Sequence, residues 1–333
     1  MSSATAFVSV IIPTLRGRGW LPACLRALHA QTYRNFEVIV VDDGSSDGTR
    51  EWLATQPDIR VIRNETNAGF AVACNQGMRT STAPFVALLN DDTEAEPGWL
   101  EALVTKLTAN DGPTLPDPPD PSSPVARQQS PLGSAASLML YADRPLVVQS
   151  AGISMDRAAI AWDRLGGHDA CEAQDACQVF GASGGACLYR RAMLDQIGLF
   201  DERFFAYLED VDLAWRAQRV GWRCVYVPTA RVLHHTSATS GNNSPFKNRL
   251  LGRNKLWLAA KNARLRDWPV IAFYDLAAVM YAGLTRGDWS HLGGRLDALR
   301  HMPRRATHRH QALCLEPLVS PWRVPSRFAQ GSQ

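Results

Sequence analysis

Hydrophobic residues recur along this chain in two periods. Residues 7–12, 36–41, 59–62 and 85–89 are short, mostly apolar runs, the mark of buried strands. Between the first two, Trp20, Leu21, Cys24, Leu25 and Leu28 fall at helical spacing. Residues 67–77 open a second helix, and a third, over about 97–109, follows the fourth strand. Strands alternating with helices predict βαβ units in an α/β fold with a mainly parallel sheet. At 111–131 the pattern breaks. Seven prolines there exclude helix and strand and predict a surface loop. Strand character resumes at 135–141. A small-residue turn at 181–186 leads to a strand at 187–189 and a helix from about 190. Residues 209–220 form an amphipathic helix ended by Gly221. Residues 223–227 form a strand that Pro228 stops, and from about 245 the pattern is helical.

Composition narrows the class. The 333 residues are 46% hydrophobic and 20% charged, which is globular. A formal net charge of +3 gives no argument for a nucleic-acid partner, and none is expected. The seven cysteines are scattered and form no CxxC pair, which indicates reduced thiols. Residues 1–13 lack the basic start of a secretory leader. Residues 268–284 are apolar except for Asp275, short for a membrane span, and read as a core or interfacial helix. The stretch 286–310 carries Arg286, Arg295, Arg300, Arg304, Arg305 and Arg309 against Asp288 and Asp297. It is either a solvated basic face or a surface for anionic lipid.

Chemistry concentrates where predicted strands end. The fourth strand runs into Asn90, Asp91 and Asp92, which cap the next helix or deliver oxygen ligands to the rim of the sheet. Asp42 ends the second strand. It either makes the turn or accepts a hydrogen bond from a base or ribose. Asn67 and Gly69, with Asn75 and Gly77, mark a helix start whose backbone N–H groups suit a phosphate. Glu209, Asp210 and Asp212 open a later helix, and His234 and His235 follow a strand. Jointly these fit transfer from a nucleotide diphosphate. Mg²⁺ or Mn²⁺ would be held by Asp92 and a histidine, and Asp210 would act as base. Repulsion from Glu209 and Asp212 would raise its pKa.

The sequence resembles family two glycosyltransferases of the GT-A fold, and within them the bacterial rhamnosyltransferase-like subgroup of cell-surface polysaccharide synthesis. The carrying motifs are VSVIIPT at 8–14, VDDGSSDGT at 41–49, NAGFAVACNQG at 67–77 and LLNDDT at 88–93. GASGGACLYRR at 181–191, IGLFDERFFAYLEDVDLAWR at 197–216, VLHHTSAT at 232–239 and RN at 253–254 complete the set. The resemblance implies a GT-A, Rossmann-like domain over 1–244. Its nucleotide-sugar half spans about 7–110 and its acceptor half 132–244, with a helical extension over 245–333, which the lipid reading of its basic residues would bring to a membrane. Pro13, Thr14 and Asp42 fall where the family holds the nucleoside. Asn90, Asp91 and Asp92 stand at the metal-binding Asp-x-Asp position. The first Asp is Asn here, so ligation rests mainly on Asp92 and donor contact extends to Asp91. Asp210 matches the base, and His234, rather than His235, the C-terminal metal ligand.

The implied activity is inverting, metal-dependent transfer from dTDP-rhamnose or a UDP-sugar to a lipid-linked or growing glycan. The expected location is cytoplasmic, peripheral on the inner face of the plasma membrane. A sugar nucleotidyltransferase would need a Gly-rich basic loop after strand one, which residues 13–18 lack. A glycan- or nucleotide-binding protein without turnover would not need the set Asp42, Asp92, Asp210 and His234.

Overall fold

A computed structural model describes residues 6–109, 130–235, 244–303 and 313–318. Ten strands form one sheet whose main path runs β10-β12-β6-β11-β4-β1-β2-β3. In chain order these are β1 Val8–Thr14, β2 Phe36–Asp43, β3 Arg60–Asn64, β4 Phe85–Leu89, β5 Thr93–Ala95, β6 Leu132–Tyr141 and β7 Arg144–Ser150. A separate hairpin follows, β8 Ile153–Met155 with β9 Ala161–Asp163, then β10 Gln178–Val179, β11 Ala186–Arg190 and β12 Arg223–His234. The first four sheet strands pair in parallel. β11 runs antiparallel between β4 and β6, and β12 lies parallel to β6. The expected α/β sheet is therefore parallel in its first half and mixed in its second. The predicted Pro-rich loop lies outside the described residues except for its last two.

Side-chain alternation explains why both faces are covered. Val8, Val10, Ile12, Ala87 and Leu89 enter one core, and Ile11, Ile39, Val41, Val86 and Leu88 the other, as a period of two requires. Helices Leu21–His29 and Trp99–Thr108 cover the first face, and Phe70–Thr80, Arg191–Ile197 and Glu209–Arg219 the second. Trp99 is fully buried, and its indole N–H donates to Ser137 Oγ at 2.8 Å. Truncating such a residue costs about 3–5 kcal/mol.

One expectation changes. Pro228 does not stop its strand: β12 continues to His234, with a register shift between Val227 and Arg231. A bulge is where a strand tolerates proline. The C-terminal helices pack against the rest of the chain. Trp257 and Leu258 of helix Pro245–Asn262, Ile271 of Trp268–Arg286 and Ala298 of Ser290–Arg300 share a core with Val211 and Trp215. Leu265–Arg286 is long and apolar enough to cross a membrane, yet only 17% of its apolar window is buried. Ile271, Val279 and Gly283 are its buried residues.

Candidate functional site

The carboxyl ends of β1, β2 and β4 share one edge of the sheet. Thr14 pairs in register with Asp42, and β4 delivers its acids beside them. Asp42 is fully buried. Its Oδ1 accepts from the Ser45 N–H at 2.9 Å. Its Oδ2 has no hydrogen-bond partner among the described residues, with Arg50 Nε 3.8 Å away. A buried carboxylate oxygen without a partner is costly, and a nucleoside N–H or hydroxyl would satisfy it. Pro13 is buried opposite Val41. Thr14 Oγ1 donates to Asp91 Oδ2 at 2.5 Å. Burial raises the Asp91 carboxyl to about 7, against the lowering effect of the Thr14 bond.

The Asn67–Gly69 turn differs from expectation. Asp43 accepts from Asn64 Nδ2 at 2.7 Å, the Ala68 N–H at 3.0 Å and the Gly69 N–H at 2.9 Å. These backbone donors are therefore already used, and the turn is a shaped wall rather than an open phosphate cradle. Gly69 has φ 100°, and a Cβ there would lie 2.5 Å from the Phe205 ring. Asn75 bonds both N and O of Phe200, and a Cβ at Gly77 would strike Ile11 at 2.4 Å. Both positions serve packing.

Asp92 is 5% exposed, and its Oδ1 lies 3.0 Å from His234 Nε2. His234 Nδ1 contacts Gln149 Oε1 at 2.6 Å, and Asn90 Nδ2 is 3.5 Å from Nε2. His235 turns away to Glu94, at 2.7 Å, and to the Trp20 ring. Among the described residues no group of three or more His, Cys, Asp or Glu could hold a metal. Asp92 and His234, in contact at hydrogen-bond distance, offer a metal two atoms. Octahedral ligands about 2.1 Å from a metal stand about 3 Å apart at right angles, which is the spacing of this pair. Mg²⁺ or Mn²⁺ held here would take its remaining positions from phosphate oxygens and water.

Asp210 closes the arrangement from the second half. Its Oδ2 accepts from the Gly184 N–H at 3.0 Å and its Oδ1 from the Val211 N–H at 2.8 Å. Burial raises its carboxyl to about 6, the two backbone bonds oppose this, and Asp163 raises it further. The expected cause needs correction. Asp212 is occupied by Arg216, Lys261 and Asn262, each at 2.8 Å, and is no source of repulsion. Glu209 is buried and raised by burial first and Asp210 second.

Two side chains here carried no sequence signal. Gln149 lies in β7, a half-polar strand. Asp163 ends β9 and is exposed, with Ser150, His234 and Lys247 close to its carboxyl.

This fold, with acids at the ends of its parallel strands, is that of the GT-A glycosyltransferases. The Glycosyl transferase family 2 model matches residues 9–198, and a Glycosyltransferase like family 2 model matches 158–251. The chain belongs to glycosyl transferase family 2 and is a glycosyltransferase of the rhamnosyltransferase-like type. It is 30% identical over 262 residues to the N-acetylglucosaminyl-diphospho-decaprenol L-rhamnosyltransferase of Mycobacterium tuberculosis, covering 72% of this chain and 79% of that protein. It is 29% identical to a pre-mycofactocin glycosyltransferase of the same species over 68% of this chain and 42% of that one. Its fold matches the crystal structure of GalNAc-T7 with UDP, GalNAc and Mn²⁺, at TM-score 0.55, 14% identity and 91% and 59% coverage. It also matches S. aureus TarS 1–349, at TM-score 0.52, 19% identity and 88% and 79% coverage.

Proposed function

We propose that this chain transfers rhamnose from a nucleoside-diphosphate donor to a hydroxyl of a lipid-linked sugar in bacterial cell-surface polysaccharide synthesis. dTDP-rhamnose is the favoured donor, with a UDP-sugar second. The observation that carries the reading is the Asp92–His234 pair at one edge of the sheet, with the half-buried, raised carboxyl of Asp210 held at Gly184, next to the Gly185 carbonyl that accepts from the Asn90 N–H. The partner-free Asp42 Oδ2 supports a nucleoside pocket formed with Pro13 and Thr14. Asn67, Gly69 and Asp91 wall the donor. The acceptor follows the M. tuberculosis relative, whose name specifies a diphospho-decaprenol-linked N-acetylglucosamine.

Asp210 takes the proton of the acceptor hydroxyl. That oxygen forms a bond to the sugar's anomeric carbon as the bond to the diphosphate oxygen breaks, and the electron pair leaves on the nucleoside diphosphate. One in-line displacement inverts the anomeric centre. Asp92 and His234 would hold Mg²⁺ or Mn²⁺, which when bound neutralises charge on the leaving diphosphate.

A lipid-linked acceptor requires a bilayer within reach. Phe273, Leu276, Met280 and Leu284 stand on one side of their helix, 41–71% exposed. Local acids turn to the body: Asp275 to Arg295 and Lys255, Asp288 to Asn248, and Asp297 to Arg249. Arg266 and Arg286, at the two ends of the helix, stay exposed. An apolar stripe between cations suits the anionic inner face of the plasma membrane.

The test supplies dTDP-rhamnose, Mn²⁺ and a polyprenyl-diphospho-N-acetylglucosamine. Release of dTDP with an inverted glycosidic product is expected. Release of pyrophosphate would mark a nucleotidyltransferase, and donor binding without turnover of any nucleotide sugar a binding protein. Either overturns the proposal. For the membrane face, Leu276→Asp should abolish cosedimentation with phosphatidylglycerol vesicles. Unchanged cosedimentation, or a Leu276-dependent dimer in light scattering, overturns that part.

A further inference from the structure

The turn that leads into Asp210 is held in a conformation its own residues disfavour. Phe205, Tyr207 and Leu208 have φ of 64°, 71° and 68°, and none is glycine. Phe205 has ψ −65°, and the Ala206 N–H donates back to Phe204 O at 2.7 Å. That is the positive-φ γ-turn, which is rare and strained. Leu208, with ψ 4°, is left-handed. Such conformations persist only where the surroundings over-determine them.

The surroundings here are the helix Pro245–Asn262. Asn254 is fully buried. Its Nδ2 donates to the carbonyls of Phe204, Ala206 and Tyr207 at 3.0, 2.8 and 2.7 Å. A primary amide has two N–H bonds, so three carbonyls share them. Its Oδ1 accepts from Arg253 Nε at 3.0 Å. Arg253 donates in turn to Arg203 O and Phe204 O at 3.2 and 2.9 Å, with its guanidinium 4.6 Å from the Trp257 ring centre. On the opposite side the Ala71 N–H donates to Phe205 O at 3.0 Å, and the Phe205 ring fills the space beside Gly69. The turn is gripped between the donor side of the cleft and the last helices.

We infer that Asn254 is a positioning residue for transfer: it holds the turn at 204–208 in its left-handed form, so that Asp210 faces the cleft beside Gly184. The inference rests on the reading of Asp210 as base. It separates from stability because Lys261 and Asn262 of the same helix anchor Asp212 independently. Loss of Asn254 frees the turn while the helix that carries Asp210 stays docked.

The experiment compares Asn254→Ala, Asn254→Asp and Asp210→Asn, with dTDP-rhamnose and the polyprenyl-diphospho-N-acetylglucosamine for turnover and dTDP with Mn²⁺ for binding. Asn254→Ala should lower kcat about 10- to 100-fold with dTDP affinity within about threefold. Asn254→Asp should be worse, because a carboxylate would face three carbonyls. Leu208→Gly added to Asn254→Ala should recover at least about a third of the lost kcat, since glycine takes positive φ without strain. A merely structural asparagine would show neither the split nor the recovery. An Asn254→Ala kcat within about threefold of the parent, or a loss matched by equal loss of dTDP binding and not recovered by Leu208→Gly, overturns the inference. If Asn254→Ala does not fold, Arg253→Ala should show a smaller kcat loss at constant dTDP affinity, and an unchanged kcat there overturns it. Full turnover by Asp210→Asn would sink the base and the role of Asn254 together. An inactive Asp210→Asn beside a fully active Asn254→Ala sinks the role of Asn254 alone.

Discussion

Gln149 Oε1 lies 2.6 Å from Nδ1 of His234, and this contact decides which ring nitrogen faces Asp92. A carboxamide oxygen only accepts, so Nδ1–H is the group that meets Gln149 and Nε2 is the atom turned toward the carboxylate. Partners of this kind orient ligating histidines and are worth 10- to 100-fold in metal affinity. Gln149→Ala should therefore weaken Mn²⁺ binding by about that factor, read by the Mn²⁺ paramagnetic resonance signal in the presence of dTDP. The melting temperature should change little. Unchanged Mn²⁺ affinity would remove His234 from the ligand set.

The carboxyl of Asp210 predicts the pH profile. A base must be ionised to act, so turnover should rise with pH through about 6 and level off above about 7. Asp210→Asn should lower kcat about 10²- to 10⁴-fold and abolish that limb. The stability effect has the opposite sense. A carboxyl raised by folding contributes stability that is present below its unfolded value of about 3.9 and lost as pH rises through about 6. Asp210→Asn should thus be more stable than the parent at pH 8, by on the order of 1 kcal/mol, in denaturant titrations at both pH values.

Asp43 joins β2 to the donor-side turn through two hydrogen bonds, from the Ala68 and Gly69 N–H groups, and to β3 through Asn64. Asp43→Ala leaves the Ala68 N–H without its acceptor and the Gly69 N–H with Asn67 Oδ1 alone. A loss of roughly 2–4 kcal/mol is expected, with a higher KM for the donor as the turn loosens. Urea denaturation measures the first and initial rates the second. A destabilised variant with unchanged donor KM would show that the turn does not touch the donor.

Asp212 and Lys261 predict acid sensitivity. Asp212 is fully buried, and although burial opposes its charge, Arg216, Lys261 and Asn262 hold its carboxyl below the usual range. That stability is present above about pH 3.9 and is lost as pH falls through the depressed folded value. Lys261→Ala should cost about 3–5 kcal/mol, because it leaves a buried charge short of a partner. Lys261→Met, which keeps the volume, should cost about as much if charge is the cause, and clearly less if packing is. Guanidinium midpoints distinguish the two.

The donor half was legible because each strand is one contiguous apolar run; β4 falls on residues 85–89 as the pattern predicts. β5, β7, β10 and the β8–β9 hairpin were not. They are short or half-polar, and distant partners fix their pairing. Asp92 and His234 could be picked out because acids at strand ends and a histidine after a strand are local signals. Gln149 and Asp163 could not, since nothing near them in sequence marks their strands. Asn254 belonged to a two-residue motif whose purpose needed the carbonyls of 204–207 to be seen. The raised carboxyl of Asp210 has burial as its first cause, which sequence adjacency does not show. Of the two expected sources of repulsion, Glu209 does interact with Asp210, while Asp212 is paired with Arg216 of its own helix and with Lys261 and Asn262 of helix Pro245–Asn262.

Strand β12 settles beside β6 with His234 opposite Tyr141, and beside β5 with His234 opposite Thr93. The Asp92–His234 pair is therefore closed across 142 residues of chain. Contacts so distant form late, after local βαβ pairing, and domains emerge from the ribosome N-terminal part first. A growing chain can bring Thr14, Asp42 and Asp91 together long before His234 exists. The Asp92–His234 contact is thus a feature that only a finished molecule acquires, the last piece of the cleft to be set in place.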